Sequence, residues 1–315
     1  MTEAWSADEF ERRLRQVLDE RYHHQHPFNV RMHAGALTQA EIRTWVRNRY
    51  YYQTRIPIKD GLILAKSSDP RFRREWIRRI QDHDGRSPGE GGLELWLALA
   101  DAVGLERAEV EAARDVLPGV RRVCDDYVNF VESHDLLESV ASSLTELAAA
   151  GLMAGRIEAF EKHYPWVAGD GLAYFRSRTV QASRDSEEGL RFVLDEARSR
   201  ADQERCLRAL ETKCDILRGL LDAVTTAHAR PRLVRHAKRR DEGSETLVVL
   251  PERAVRLSPS GREILDLCDG ARSALEIAAE LERRHPDEED VGEDAHGFLG
   301  EMQRLGVLES DADET

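Results

Sequence analysis

The sequence predicts an all-α bundle, followed by a small C-terminal module built from a β-hairpin and three helices. Three observations carry this reading. From about residue 6 to 228 apolar residues recur at helical spacing, with almost no β-alternating run. The long periodic segments are separated by Pro27, Pro57, the Gly85–Gly92 stretch, Gly104, Pro118-Gly119, Pro165 and Gly169–Gly171, which divide the region into roughly seven helices. Beyond residue 228 the pattern changes to short β-type runs and shorter helical ones.

Taken in order, residues 1–228 form the helical domain. In 39–53 the apolar stripe is Ile42, Trp45, Val46 and Tyr50; in 71–83 it is Phe72, Trp76 and Ile80. Further stripes are Val120, Val123, Tyr127, Val131, and Val140, Leu144, Leu147. The last, in 203–228, is Cys206, Leu210, Cys214, Leu217, Leu221 and Val224. Residues 229–245, rich in Lys and Arg, read as an exposed linker or a first edge strand. The segment 246–315 is a second domain. Thr246–Leu250 and Ala254–Leu257 form a hairpin around Pro251-Glu252-Arg253, and Ser258-Pro259 caps a helix running to Leu267. Helices at about 273–284 and 291–305 complete a winged-helix-like module.

Composition narrows the function. A chain of 315 residues with 41% hydrophobic content accommodates about two cored domains. A net charge of −13, and an acidic tail, argue against nucleic-acid binding. The N-terminus does not resemble a signal peptide, and we expect no membrane span. The four cysteines, Cys124, Cys206, Cys214 and Cys268, form no CxxC pair and read as buried thiols of a cytoplasmic protein.

The most informative feature is charge in the wrong place. Six cationic side chains, Arg49, Lys59, Arg79, Arg156, Arg178 and Lys213, sit where the bundle should be apolar. Pairs one helical turn apart recur on inward faces: Arg49/Gln53, Arg79/His83 and Tyr174/Arg178. Taken singly, each has a plainer explanation. An inward Arg pairs with a core carboxylate, His83 ends a helix at Asp82-His83-Asp84-Gly85, and Tyr127 and Tyr174 are core aromatics. An isolated buried cation costs several kcal/mol, so their number and agreement point to an anionic guest, a polycarboxylate or phosphate. Glu146 and Tyr127 are candidate partners for its amine or hydroxyl, and His83 is a candidate proton shuttle. Metal and nucleotide readings are weak. The helical domain has one Glu-x-x-His, Glu20/His23; Glu282/His285 and Glu293/His296 lie in the acidic tail; no P-loop, Rossmann fingerprint or Gly-x-Ser-x-Gly elbow occurs.

Several long motifs resemble the pyrroloquinoline-quinone (PQQ) synthase family, PqqC. They are Asn48-Arg-Tyr-Tyr-Tyr-Gln-Thr-Arg-Ile-Pro-Ile-Lys-Asp60, Arg78-Arg-Ile-Gln-Asp-His-Asp-Gly85, Val116-Leu-Pro-Gly119, Asp126-Tyr-Val-Asn-Phe130 and Ser142-Ser-Leu-Thr-Glu-Leu147. The resemblance spans about 22–228. Val249-Leu-Pro-Glu, Leu257-Ser, Glu263-Ile-Leu-Asp-Leu-Cys-Asp-Gly270 and Gly306-Val-Leu308 resemble PqqD. Together they look like a PqqC–PqqD fusion.

The resemblance implies a heme-oxygenase/TenA-like bundle, a homodimer, and the final ring closure and eight-electron oxidation of the PQQ precursor (AHQQ). Molecular oxygen is the implied co-substrate, with no metal or organic cofactor, and hydrogen peroxide is released. It implies substrate contacts from Tyr22, His23, Arg49, Gln53, Lys59, Arg79, Tyr127, Thr145, Glu146, Arg156 and Lys213. His83, Tyr174 and Arg178, with Arg156, are implied to handle protons and oxygen. For the PqqD-like domain it implies binding of a PqqA-like precursor peptide and presentation to a PqqE-like radical-SAM enzyme. In members of the family a second histidine stands three positions before the Arg156 equivalent; here that residue is Met153, and Leu147-Ala-Ala-Ala-Gly-Leu-Met is unusually plain. Two alternatives stay open at this stage. One is a divergent oxidase acting on another peptide-derived substrate, the other a non-catalytic scaffold of the pathway.

Overall fold

A computed structural model describes residues 3–167, 169–242 and 245–310. The chain forms two compact units, Met1–Asp222 and Ala223–Thr315.

In the first unit the helices begin where capping chemistry starts them. α1 (Ala7–Arg21) is capped by the Ser6 hydroxyl, and α2 (Pro27–His33) has Pro27 in its first turn. α3 (Gln39–Lys66) opens on a capping box, in which Thr38 accepts from the Glu41 amide and Glu41 reaches back to Thr38. α4 (Pro70–Asp84) follows Asp69, whose carboxylate accepts from the Arg71 amide. After it come α5 (Gly91–Ala102), α6 (Arg107–Glu111), α7 (Pro118–Ser133) and α8 (Leu136–Ser142). A 3-10 turn at Ser143–Thr145 leads into α9 (Glu146–His163). α10 (Ala173–Glu196) and α11 (Arg200–His228) close the bundle.

α3 is the central post. It packs against α4, α5 and α7, while α9 and α10 pair with each other. Pro57 does not break it. The missing N–H leaves the Gln53 carbonyl without its helical donor, yet the 28-residue helix continues because neighbouring helices hold it along its length. An aromatic cluster forms the floor of the core. Trp45 lies 5.4 Å from Trp96 and 6.3 Å from Phe175, and Phe160 lies 5.8 Å from Phe175.

The run Leu136–His163 is long and apolar enough to cross a membrane by length and composition, which the sequence reading did not anticipate. In the fold it is interrupted by the 3-10 turn, and 56% of its most apolar window is buried inside the protein. It also carries Glu146 and the buried Arg156. It is a core segment of the bundle.

The second unit contains β1 (Pro231–Leu233), β2 (Lys238–Glu242), β3 (Glu245–Leu250), β4 (Arg253–Leu257), α12 (Pro259–Leu267), α13 (Ala274–Arg284), α14 (Val291–Arg304) and β5 (Leu308–Ser310). β2, β3 and β4 form an antiparallel meander, with Val248 opposite both Arg239 and Val255. Thr246, Val248 and Leu250 are buried while Leu247 and Val249 are partly exposed, the period of a strand with one face on a core. The basic stretch thus supplies an edge strand. It also supplies β1, which pairs antiparallel with β5, a pairing with no counterpart in the sequence reading. Ile277, Ala295, Leu299 and Val307 join Val248 in the core.

Candidate active site

The six cations are all buried: Arg49 is 7% exposed, Lys59 3%, Arg79 4%, Arg156 1%, Arg178 5% and Lys213 1%. They come from α3, α4, α9, α10 and α11, so only the folded bundle brings them together. They fall into two groups with different partners.

Arg178 is held by carboxylates, and Arg79 by a backbone carbonyl. Arg178 donates to Glu146 at 2.6 Å and lies 3.5 Å from Asp185. Arg79 donates to the Asp185 carbonyl at 2.5 Å, and its guanidinium stacks 4.1 Å from the Trp76 ring centre. Burial pushes the Glu146 carboxyl up, but Arg178, Arg79 and Lys59 outweigh this and hold it below the ordinary carboxylate range. Asp185 behaves likewise, with burial opposed by Arg79 and Arg178. Lys59 sits 2.7 Å from Asp60 and donates to Ser143 at 3.0 Å.

Arg49, Arg156 and Lys213 have no carboxylate within ion-pair distance among the described residues. Arg49 lies 4.0 Å from the Tyr52 ring centre. Arg156 donates to Asn29 at 3.0 Å and lies 5.0 Å from the Trp45 ring centre. Lys213 donates to the Tyr52 hydroxyl at 2.8 Å and rests 3.3 Å from the Tyr127 ring centre. Burial, reinforced by Lys59 and Arg49, pulls the Lys213 ammonium well below its usual value. Burial and Arg49 pull Arg156 down to about 9. Six cations therefore face three buried or half-buried carboxylates, Asp60, Glu146 and Asp185.

Unmet hydrogen bonds agree with the charge imbalance. The Nε atoms of Arg49, Arg79 and Arg156 are buried without an acceptor, and both ring nitrogens of His23 are buried without a partner. Orphaned buried donors each cost about 1–3 kcal/mol. Donors gathered on an excess of positive charge fit an anion with several acceptor oxygens.

His83 stands in the last turn of α4. Gly85 (φ 79°) ends that helix, and a Cβ on Gly91 (φ 91°) would lie 2.3 Å from the Gly85 nitrogen, so only glycine lets the loop turn back this tightly. His83 Nδ1 lies 3.0 Å from the Arg79 carbonyl. A carbonyl only accepts, so Nδ1 carries the hydrogen and Nε2 keeps its lone pair. Burial, then Arg178, lowers the His83 pKa, keeping the ring neutral near pH 7. His23 is lowered further, by burial and then Arg49 and Arg156. Tyr174 donates to Gln53 at 3.0 Å, and burial raises its phenol. Tyr22 packs edge-on to His23 at 4.3 Å and is also raised, chiefly by burial.

Thr145 is buried in the 3-10 turn, and Tyr127 lies beneath Lys213 with its hydroxyl 3.5 Å from Ser142. Glu146 is about one quarter exposed and engaged by Arg178. Met153 is buried on the same helix as Arg156, three residues earlier, and adds an apolar thioether there. Every candidate residue thus lies in the bundle interior or on its inner rim. Sequence reasoning missed Asn29, Tyr52, Asp60, Trp76 and Asp185, which position the cations. Of these, Trp76 reads from the sequence only as a member of the 71–83 apolar stripe, and Asp60 only as the chain neighbour of Lys59.

Comparison with known proteins gives this interior its class. Residues 11–223 match the TENA/THI-4/PQQC family, and residues 245–308 match Coenzyme PQQ synthesis protein D (PqqD). The chain belongs to the TENA/THI-4/PQQC family, with a PqqD domain at its C-terminal end. Within it, the chain belongs with the pyrroloquinoline-quinone synthases. It is 49% identical to that of Pseudomonas aeruginosa over 234 residues, 74% of this chain and 93% of the relative. It is 46% identical to that of Gluconobacter oxydans over 221 residues, 70% of this chain and 92% of the relative. Solved structures confirm the fold. A heme oxygenase-like domain from Shewanella denitrificans superposes with a TM-score of 0.58 at 13% identity, covering 70% of this chain and 92% of that one. A TenA homologue from Pseudomonas syringae pv. tomato gives 0.57 at 13% identity, covering 71% and 98%. The protein's place is in PQQ biosynthesis.

Proposed function

We propose that the helical unit catalyses the last step of PQQ synthesis: ring closure and eight-electron oxidation of the polycarboxylate precursor by molecular oxygen, with release of hydrogen peroxide. The observation that carries this reading is the unneutralised trio Arg49, Arg156 and Lys213, buried with orphaned guanidinium donors. Carboxylates of the substrate supply the missing acceptors, and their charge offsets the desolvation of the cations. Tyr22, His23, Gln53, Tyr127 and Thr145 line the same interior and shape it around a planar quinoid ring.

In this reading the substrate is its own reductant. As ring closure makes it a quinol, it passes electrons to oxygen, and the protein orients it, moves protons and keeps water out. Oxygen is the co-substrate, and no metal or organic cofactor takes part. His83 takes protons at Nε2, because Nδ1–H is committed to the Arg79 carbonyl. Arg178, Tyr174 and Arg156 supply positive charge and hydrogen bonds where oxygen acquires negative charge. Met153 donates and accepts no proton, so proton transfer on that side rests on His83 and His23.

The C-terminal unit binds a PqqA-like precursor peptide and presents it to a PqqE-like radical-SAM enzyme. Its three-stranded sheet ends on two edge strands, β2 and β4, where a peptide would add as a further strand. The protein works as a homodimer in the cytoplasm, and its four buried free thiols suit a reducing compartment.

The test mixes purified protein with the final precursor, with and without oxygen, and follows quinone absorbance and peroxide. Oxygen-dependent quinone with peroxide is the expected result. Folded protein that binds PQQ but yields no quinone in air would favour a scaffold instead.

A further inference from the structure

Among so many donors, one buried carboxylate oxygen is left open among the described residues. Asp60 is 0% exposed, on α3 beside Lys59. Its Oδ1 is occupied: the Trp76 indole N–H donates to it at 2.9 Å, and the Lys59 ammonium lies 2.7 Å away. Its Oδ2 is buried and has no hydrogen-bond partner. Trp76 in turn carries Arg79 on its ring at 4.1 Å, with Lys59 5.7 Å from the ring centre. Asp60 also acts electrostatically on His83. It therefore stands inside the cationic interior, among Lys59 of α3 and Trp76 and Arg79 of α4.

A carboxylate oxygen removed from water without a donor costs about as much as a lost charged hydrogen bond. Neutralising Lys59 needs only Oδ1, so the second oxygen is unexplained by the ion pair. The cations recognise carboxylates, and nothing else among the buried charges near Trp76 reads a donor. Glu146 and Asp185, the other acidic groups, are engaged by arginines.

We propose that Asp60, locked in place by Trp76, is a specificity residue whose free oxygen accepts a hydrogen bond from an O–H or N–H of the bound ligand. This rests on the quinol-forming reaction proposed above and deepens it. The site then distinguishes the reduced, hydroxyl-bearing form of a quinoid ligand from the oxidised form, which presents carbonyl acceptors at the same positions. Asp60 holds the quinol until its electrons have gone to oxygen, and an acceptor-bearing quinone placed against the same carboxylate is released.

The substitution Asp60→Asn preserves shape and keeps the oxygen that accepts from Trp76, while turning the open oxygen into an N–H donor. The experiment measures dissociation constants of the full chain for PQQ and, under anaerobic conditions, for its reduced form. Removing a negative charge strengthens the binding of carboxylates in either form, so the ratio of the two constants is the readout. The wild-type chain is expected to prefer the reduced form, and the substitution to move the ratio toward the oxidised form by tenfold or more. A tenfold change corresponds to about 30 mV in the potential of the bound couple. An unchanged ratio in a variant that binds both forms overturns the proposal and leaves the proposed reaction standing. Failure of the wild-type chain to bind either form overturns both. Should the Asp60→Asn chain not fold, Trp76→Phe removes the indole donor but keeps an aromatic face, and the same ratio is read. It is expected to fall toward the oxidised form, and a ratio equal to wild type overturns the proposal.

Discussion

Every buried charged side chain among the described residues lies in the helical unit, whereas the core of the C-terminal unit holds apolar side chains and the thiol of Cys268. Both units contain buried polar groups, but in the C-terminal one these are the hydroxyls of Thr246 and Ser310. The Thr246 hydroxyl donates to Asp241 at 2.6 Å. The contrast separates two uses of an interior. One is packed for stability, with no unmet electrostatics. The other gives up stability to hold Arg49, Arg156 and Lys213 dry and unpaired, which is sensible only where a ligand completes the site.

Substitutions sharpen the contrast, beginning with the largest effect. His83→Asn is expected to slow quinone formation by about 10²–10⁴-fold, the usual share of a general base, with PQQ affinity within about threefold of wild type. Stopped-flow absorbance and an equilibrium titration check the two halves, and a full-rate variant removes His83 from the proton path. In the other unit, Ile277→Ala should cost about 2–5 kcal/mol, the penalty for truncating a fully buried aliphatic residue. It should leave PQQ binding unchanged, and chemical denaturation followed alongside ligand titration reads both.

Lys213→Met reverses that pattern. Losing a charge-assisted bond of about 1.5–3 kcal/mol should weaken PQQ binding about tenfold to hundredfold. Exchanging an uncompensated buried cation for an apolar chain should keep or raise the melting temperature. A variant that melts much earlier and binds normally would make Lys213 structural.

The smallest effect is in pH. His23 and His83 are both held below their ordinary pKa, chiefly by burial. The unfolded chain therefore binds more protons than the folded one once pH drops below about 6.5. Stability of the helical unit is complete above that value and declines below it, each histidine contributing at most about 1.4 kcal/mol per pH unit. Melting curves between pH 7.5 and 5 test this; a melting temperature that rises on acidification would mean the rings are protonated in the fold.

The same contrast explains what could be read in advance. Arg49, Arg79 and Lys213 stood out because each falls on a stripe whose other members are apolar, as with Arg79 and His83 beside Phe72, Trp76 and Ile80. Their partners did not stand out. α3 is buried nearly all round, with Trp45, Asn48, Arg49, Tyr50, Tyr51, Tyr52 and Gln53 all inside, so no single stripe marks Tyr52 or Asp60 as inward. Asn29 meets Arg156 only through tertiary packing, which local spacing does not encode, and Asp185, two turns beyond Arg178 on α10, lay on none of the stripes read from the sequence. Pro57 looked like a break because propensity alone disfavours it, and packing overrode propensity. In the C-terminal unit the hairpin was legible from its turn and alternation. The β1–β5 pair was not, since Pro231 and Ser310 meet across most of that unit's length.

The central idea is tested most directly by titrating the full chain with PQQ and, separately, with its methyl-esterified form, which keeps the ring and loses the carboxylate charge. Saturable binding of the acid, with the ester at least a hundredfold weaker, is the predicted result. Equal affinity for acid and ester, or no binding of the acid by folded protein, would contradict an interior built for carboxylates.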